Sequence, residues 1–420
     1  MVVTAAYMPA RTTTVDLILK NARLKNEERL CDVGIDAGRL VAIQSELAVE
    51  GREIDLQGRL LLPGFIETHI HLDKACILGR CAAEEGTLDE AIREVAKAKR
   101  TFTVEDIRER AVRTLERCIL QGTTHIRTHL EVDPVIGLKG MEAILPLIEE
   151  YKWAVDLEIC VFPQEGLLNN PGTEDLIIES LQRGARLVGG CPYMDSDPKG
   201  QIDRIFEIAR DFDVDIDFHL DFDTNPRGMT ADYVCQQTER HKYGGRVTIG
   251  HVSKLSALPA DRFHTIAKRL ADSGVAVTVL PSTDIYLMGG ERDHDIVRGV
   301  APAHRLLHEG VNCSLSTNNV LNPFTPFGDC SLLRIANLYA NISRIGKRAD
   351  IGECLEMITH RSARLLRLED YGLAVGNAAD LVVLDCTSVE AAVQELASPL
   401  YGFKNGRQTF TRSPAELHRP

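Results

Sequence analysis

Between positions 63 and 368, eight short apolar runs alternate with longer stretches of helical period. The runs cover residues 65–71, 123–130, 154–162, 186–190, 215–220, 246–251, 275–279 and 311–316. Amphipathic stretches such as 104–120, 141–151, 202–212, 260–272 and 332–343 lie between them. A buried parallel strand reads as a short continuous apolar run, and a crossover helix as a 3.6-residue period. Eight such units over ~300 residues predict an α/β fold, a (β/α)8 TIM barrel with insertions. A doubly wound open sheet is the alternative, although no G-x-G-x-x-G or P-loop sequence supports a nucleotide-binding version of it.

The flanks follow a different pattern. Residues 15–62 hold short alternating runs punctuated by Gly38, Gly51 and Gly58, as expected of small antiparallel strands and hairpins. Residues 369–420 return to strands, and Asn405-Gly406 supplies a hairpin turn between the last two. Neither flank is long enough for a sizeable core. The expectation is one small β-sandwich built from both chain ends, beside a barrel at 63–368, with residues 1–14 as a flexible N-terminus.

The charge balance narrows the function. The chain has 48 Lys and Arg against 61 Asp and Glu, a net charge of −13. That disfavours a duplex nucleic acid or an anionic membrane surface as partner. No apolar run approaches the roughly 20 residues that span a bilayer, and residues 1–14 lack the basic start and apolar stretch of a secretory signal. Eleven cysteines, an odd number with no C-x-x-C pair, read as reduced thiols of a cytoplasmic protein.

His69-Ile70-His71 ends the first run. Residues two apart on a strand share a face, so both imidazoles would lie at the strand's C-terminal end, where barrel active sites form. Imidazole is a good ligand for zinc and iron. Three more strand ends carry histidine: His129 on the second, His219 on the fifth and His251 on the sixth. With 13 histidines in 420 residues, this clustering points to a metal centre. His129-Leu130-Glu131 also matches the H-x-E of zinc nucleobase deaminases, but the P-C-x-x-C required by that chemistry is absent.

A wider set of stretches carries a family resemblance. They are Leu62-Pro63-Gly64-Phe65-Ile66-Glu67-Thr68-His69-Ile70-His71-Leu72-Asp73, Ile126-Arg127-Thr128-His129, Phe162-Pro163-Gln164-Glu165-Gly166, Leu187-Val188-Gly189-Gly190, Asp217-Phe218-His219, Gly250-His251 and Asn377-Ala378-Ala379-Asp380-Leu381. In this order and spacing the chain resembles the amidohydrolase superfamily, in its bacterial cytosine deaminase-like branch. That branch also holds enzymes acting on triazine rings. The resemblance implies a metal-dependent hydrolase that attacks a C–N bond of an amino-substituted or amide-containing nitrogen heterocycle. It implies that His69, His71 and His219 ligate one divalent metal ion, zinc or iron foremost. It further implies that His251 contacts the metal-activated water and that Gln164 hydrogen-bonds an amide edge of the substrate ring. His129 is expected as a pocket wall or as a support behind the ligands.

Two carboxylates that the family expects are missing. The position closing the eighth strand holds Asn318, and three residues after His219 stands Phe222, flanked by Asp221 and Asp223. An amide cannot act as a general base, and phenylalanine carries no proton. One reading keeps the chain a hydrolase, with His251, Asp221 or Asp223 taking over proton transfer at a site that still includes Asn318 and Phe222. A second is an enzyme silenced by a single change at Asn318. A third is a catalytically silent ligand-binding relative. The expected partner is a small heterocyclic substrate, with self-association left open. Residues 77–86 are expected to cover the site.

Overall fold

Both chain ends fold into strands around one barrel. The computed structural model describes residues 14–25, 27–290 and 292–418. The N-terminal stretch expected to be flexible lies outside the described residues, apart from Thr14, which opens the first strand.

Strands β1 (Thr14–Ala22), β2 (Cys31–Asp36), β3 (Arg39–Gln44) and β4 (Glu50–Asp55) form one sheet in the order β3-β2-β1-β4. The β1–β4 pairing is parallel, where hairpins alone were expected. After β3 the chain crosses to the far edge of the sheet, and a strand arriving that way runs alongside β1 instead of folding back on β3. A second sheet joins the two ends of the chain. It combines β5 (Leu60–Pro63) with three strands that follow the barrel, Leu381–Leu384 beside β5, then Pro399–Lys404, then Arg407–Thr411. The inner faces of the two sheets share one core that includes Leu19, Val33, Ile35, Leu61, Leu381, Val383 and Phe403. This is the expected sandwich.

The barrel strands are β6 (Phe65–Ile70), β7 (Thr123–Glu131), β8 (Asp156–Phe162), β9 (Leu187–Gly190), β10 (Asp215–Leu220), β11 (Val247–His251), β12 (Val275–Val279) and β13 (Cys313–Leu315). They are parallel and adjacent in sequence order. The sandwich then resumes with β14 (Leu381–Leu384), β15 (Pro399–Lys404) and β16 (Arg407–Thr411). Asn405 and Gly406, at φ +47° and +71°, form the predicted turn between the last two.

Sequence sets the helix starts. The Thr103 hydroxyl accepts from the backbone N–H of Asp106 and opens Val104–Leu120, and Thr87 does the same for Leu88–Ala98 through Glu90. Pro198 sits in the first turn of Pro198–Phe212, where its missing N–H costs nothing.

The barrel closes through one bridge rather than a ladder. Asn318 donates its backbone N–H to His69 and accepts that of His71, each at 2.9 Å. Inside the barrel, the Thr68, Ser314, Ser316 and Thr278 hydroxyls are linked at 2.6–2.9 Å, so these four buried hydroxyls serve as one another's partners. Among the described residues no helix is long and apolar enough to cross a membrane.

Gly64 joins the sandwich to the barrel, at a point where β5 passes into β6. A Cβ there would lie 2.2 Å from Thr124 Cγ2. Both neighbours are buried strand residues with little room to move. Gly64→Ala is therefore expected to cost about 1–3 kcal/mol of stability by overpacking. Urea unfolding measures this, and an unchanged midpoint would show that the junction relaxes freely.

Candidate metal centre and active site

Four strands deliver histidines to one end of the barrel. His69 comes from β6, with His71 just past it, His219 from β10, His251 from β11 and His129 from β7. The Nε2 atoms of His69 and His219 are 3.1 Å apart, and those of His219 and His71 are 3.2 Å apart. Zinc–nitrogen bonds of ~2.0–2.1 Å in a tetrahedral site give a ligand separation of roughly 3.3 Å, so the spacing suits a metal ion.

The protonation state suits one too. Burial, reinforced by mutual repulsion and neighbouring cations, holds all three imidazoles well below 6.5. His71 sets its Nδ1 3.2 Å from the backbone carbonyl of His129, which fixes the tautomer with Nε2 bare. Beneath them, Asp217 is fully buried. It accepts from Arg127 at 3.0 Å and lies 4.0 Å from His69 Nδ1.

A small cavity lies against two of these histidines, His71 and His219. His251, Gln164, Phe222 and Asn318 line it as well. Its other walls are Lys74, Tyr193, Thr283, Asn319 and Phe324. His251 places Nδ1 2.7 Å from an oxygen of Asp284, which is wholly buried. Two successive left-handed residues, His251 at φ +67° and Val252 at +47°, aim the ring. That conformation is strained for a β-branched residue such as Val252. The Phe222 ring lies 3.9 Å from the His251 ring. Asn318 keeps its Oδ1 buried without a hydrogen-bond partner.

Two residues expected at the substrate are set elsewhere. Asp221 accepts the backbone N–H groups of Thr230 and Ala231 at 2.9 and 3.1 Å, together with the Thr230 hydroxyl at 3.0 Å. It thereby caps the helix Ala231–His241 and is not among the cavity's walls. The N–H groups at the start of that helix have no partner within it, and the Asp221 carboxylate satisfies them. His129 stacks behind His69, ring centroids 3.7 Å apart, and is fully buried. Its position matches the support role and not the pocket wall. Asp223 is half exposed and pairs with Lys254 at 3.0 Å. The segment 77–86 contributes no wall to the cavity.

The carboxylate that reaches His251 is Asp284, which sequence reasoning missed. The available signal was its place five residues beyond β12, at the strand end where barrel sites form. Lys74 is a wall of the same cavity. The Lys74 ammonium approaches Gln164 Oε1 at 3.0 Å and Glu131 at 3.3 Å. Burial opposes the ionised Glu131 carboxylate, yet Lys74 and Lys99 hold its carboxyl down at about 2.

Comparison with known proteins agrees with this geometry. The model of the amidohydrolase family matches residues 52–145 and 149–410. The N-isopropylammelide isopropyl amidohydrolase of Pseudomonas sp. strain ADP is 32% identical over 405 residues, covering 93% of this chain and 96% of the other. The 5-methylcytosine deaminase of Klebsiella pneumoniae, solved with 5-fluorocytosine, superposes with a TM-score of 0.91 at 28% identity, over 96% of this chain and 99% of the other. The N-isopropylammelide isopropylaminohydrolase of Burkholderia multivorans superposes with a TM-score of 0.83 at 27% identity, over 94% and 98%. The chain belongs to the amidohydrolase family. It is a hydrolase of carbon–nitrogen bonds, built as a barrel with an accessory β-sandwich.

The buried histidines give a signed pH dependence in the metal-free protein. Each has a folded pKa below 6.5, so below that pH the unfolded chain holds the extra proton and stability falls as pH falls. Glu67, pushed up to about 7 by burial, opposes them, because the folded state holds its proton between about pH 7 and 4.5. Three protons against one lower the stability by up to roughly 3 kcal/mol per unit between about pH 6 and 5. Urea midpoints across that range check it, and a flat profile would contradict neutral histidines. Zinc at 100 times its Kd is expected to stabilise the protein by about 2.7 kcal/mol, with no such gain in His219→Ala.

Proposed function

We propose that this protein hydrolyses an exocyclic C–N bond of a small, single-ring nitrogen heterocycle, such as an amino-pyrimidine or amino-triazine. Water supplies the oxygen of a new C–O bond, and ammonia or an amine leaves with the proton. The observation that carries the reading is the meeting of three neutral, convergent imidazoles with the His251–Asp284 pair at one small cavity, which His71, His219 and His251 line.

His69, His71 and His219 would hold one divalent ion, zinc or iron, and such an ion would supply Lewis acidity that brings the pKa of water towards ~7. The protein's own groups do the rest. Asp284 accepts from Nδ1 of His251, which leaves Nε2 bare to take up a proton and return it to the departing nitrogen. Phe222 carries no proton. It covers the His251 ring and limits water around it. Asn318 offers its unpaired Oδ1 as an acceptor at the ligand side of the cavity.

A carboxylate from position 284 thus stands in for the two absent at 222 and 318, which weakens the case for a silent relative. A cytoplasmic setting completes the reading, supported by eleven free thiols.

The test is ammonia or amine release from amino-pyrimidines and amino-triazines by zinc- or iron-loaded protein. No turnover of any ring by metal-replete protein would refute the proposal. Asp284→Asn, which keeps the shape but no longer favours the Nδ1–H tautomer, is expected to lower kcat by about 10²–10⁴-fold. Metal content should stay unchanged in that variant, and undiminished kcat would remove Asp284 from the mechanism.

A further inference from the structure

Lys99 reaches the wall of the cavity from outside the barrel. It opens the short turn Lys99–Thr101 that follows the helix Leu88–Ala98, in the stretch joining β6 to the helix Val104–Leu120. Its ammonium is buried among three carboxylates. It donates to Glu131 Oε1 at 2.6 Å and to Asp133 Oδ2 at 2.5 Å, and also to Glu165. An ammonium has three protons, so each carboxylate takes one. Glu131 ends β7 with Asp133 just past it, and Glu165 lies just beyond β8.

Two polar residues of the cavity wall adjoin this cluster. Glu131 gives one oxygen to Lys99 and accepts from Lys74 with the other, at 3.3 Å. Gln164 precedes Glu165 in the chain and accepts from Lys74 at 3.0 Å. Two ammonium groups thus face three carboxylates. Without Lys99, Lys74 is the one cation left to this set, and Coulomb attraction draws it towards the carboxylates and away from Gln164.

The same contact fastens the stretch 78–101. Glu90 orders that stretch from within, accepting the N–H groups of Glu84, Glu85 and Gly86 at 2.9–3.0 Å. Arg93 pairs inside it with Glu85 and Glu94, and Arg80 pairs with Asp106 of the following helix. Among the described residues, its ion pairs to the barrel strands and their loops are all made by Lys99. Beside them lies a small void, lined by Val95, Lys99 and Phe102 on one side and by Asp73, Lys74 and Glu131 on the other. Dispersion contacts are incomplete at that seam, so the ion pairs carry more of the attachment.

We propose that Lys99 is a positioning residue that holds Glu131 and Glu165, and through them sets Lys74 and Gln164 in the cavity wall. A formed wall then requires the stretch 78–101 to be seated on the barrel. The proposal rests on the reading that this cavity hydrolyses a ring C–N bond.

The test uses zinc-loaded Lys99→Met, together with Lys99→Met/Asp133→Asn, which removes one charge of each sign should the single variant fail to fold. With 4-amino-2-oxopyrimidine or 2-amino-4,6-dioxo-triazine as substrate, KM is expected to rise about 10-fold while kcat stays within ~3-fold, with metal content unchanged. Calorimetry with 2,4-dioxopyrimidine and trioxo-triazine follows binding without turnover. The loss at position 99 is expected to shrink from about 10-fold to within ~2-fold in a Lys74→Met background, because residues acting through one another are not additive. Amides of residues 88–101 are expected to exchange hydrogen at least ~10-fold faster in Lys99→Met. An unchanged KM, equal losses with and without Lys74, or loss of metal along with kcat overturns the positioning role. If neither ring reacts or binds in the unaltered protein, the hydrolase reading falls, and the exchange rates alone decide whether Lys99 fastens the stretch.

Discussion

Three buried imidazoles at the barrel mouth, with His219 Nε2 3.1 Å from that of His69 and 3.2 Å from that of His71, are the constraint on which the rest of this molecule depends. Burial strips the rings of charge, and bare lone pairs at that spacing repel unless a cation or a shared proton sits among them. The surroundings answer that demand. The His129 carbonyl faces His71 Nδ1, Asp217 stands under His69, and Arg127 braces Asp217. A metal ion completes such a cage. Without one, the cage taxes stability as pH falls.

The carboxylate beside the candidate site comes from an unexpected strand. The eighth strand delivers an amide at Asn318, whose backbone is committed to closing the barrel against His69 and His71. The carboxylate instead arrives one strand earlier, from the helix Pro281–Leu287, and reaches the cavity only through His251. Phe222 packs on that ring where a proton-carrying side chain was expected. The consequence is a site with a His251–Asp284 pair and an apolar flank, opposed by a polar wall at Lys74 and Gln164.

Much of this was legible in the sequence, for physical reasons. A parallel strand buried on both faces must read as an apolar run, so the barrel declared itself in its eight runs. H-x-H at a strand end puts two rings on one face, which located His69 and His71 directly. Asn405-Gly406 announced its turn because few other residues adopt two left-handed conformations in a row. His129 sat at an equally suggestive strand end, yet β7 turns its ring behind His69. Asp221 lay two residues from His219, but the free N–H groups of Thr230 and Ala231 claimed it. Asp284 looked like an ordinary acidic residue in the first turn of a short helix, and only three-dimensional placement brings it to His251. The parallel β1–β4 pair was equally hidden, because a crossover leaves no periodic trace.

X-ray absorption at the zinc edge of the loaded protein probes the central claim most directly. The account predicts nitrogen scatterers at ~2.0–2.1 Å with the multiple-scattering signature of three imidazoles, reduced to two in His219→Ala. A first shell of sulfur, or of oxygen alone, would contradict it.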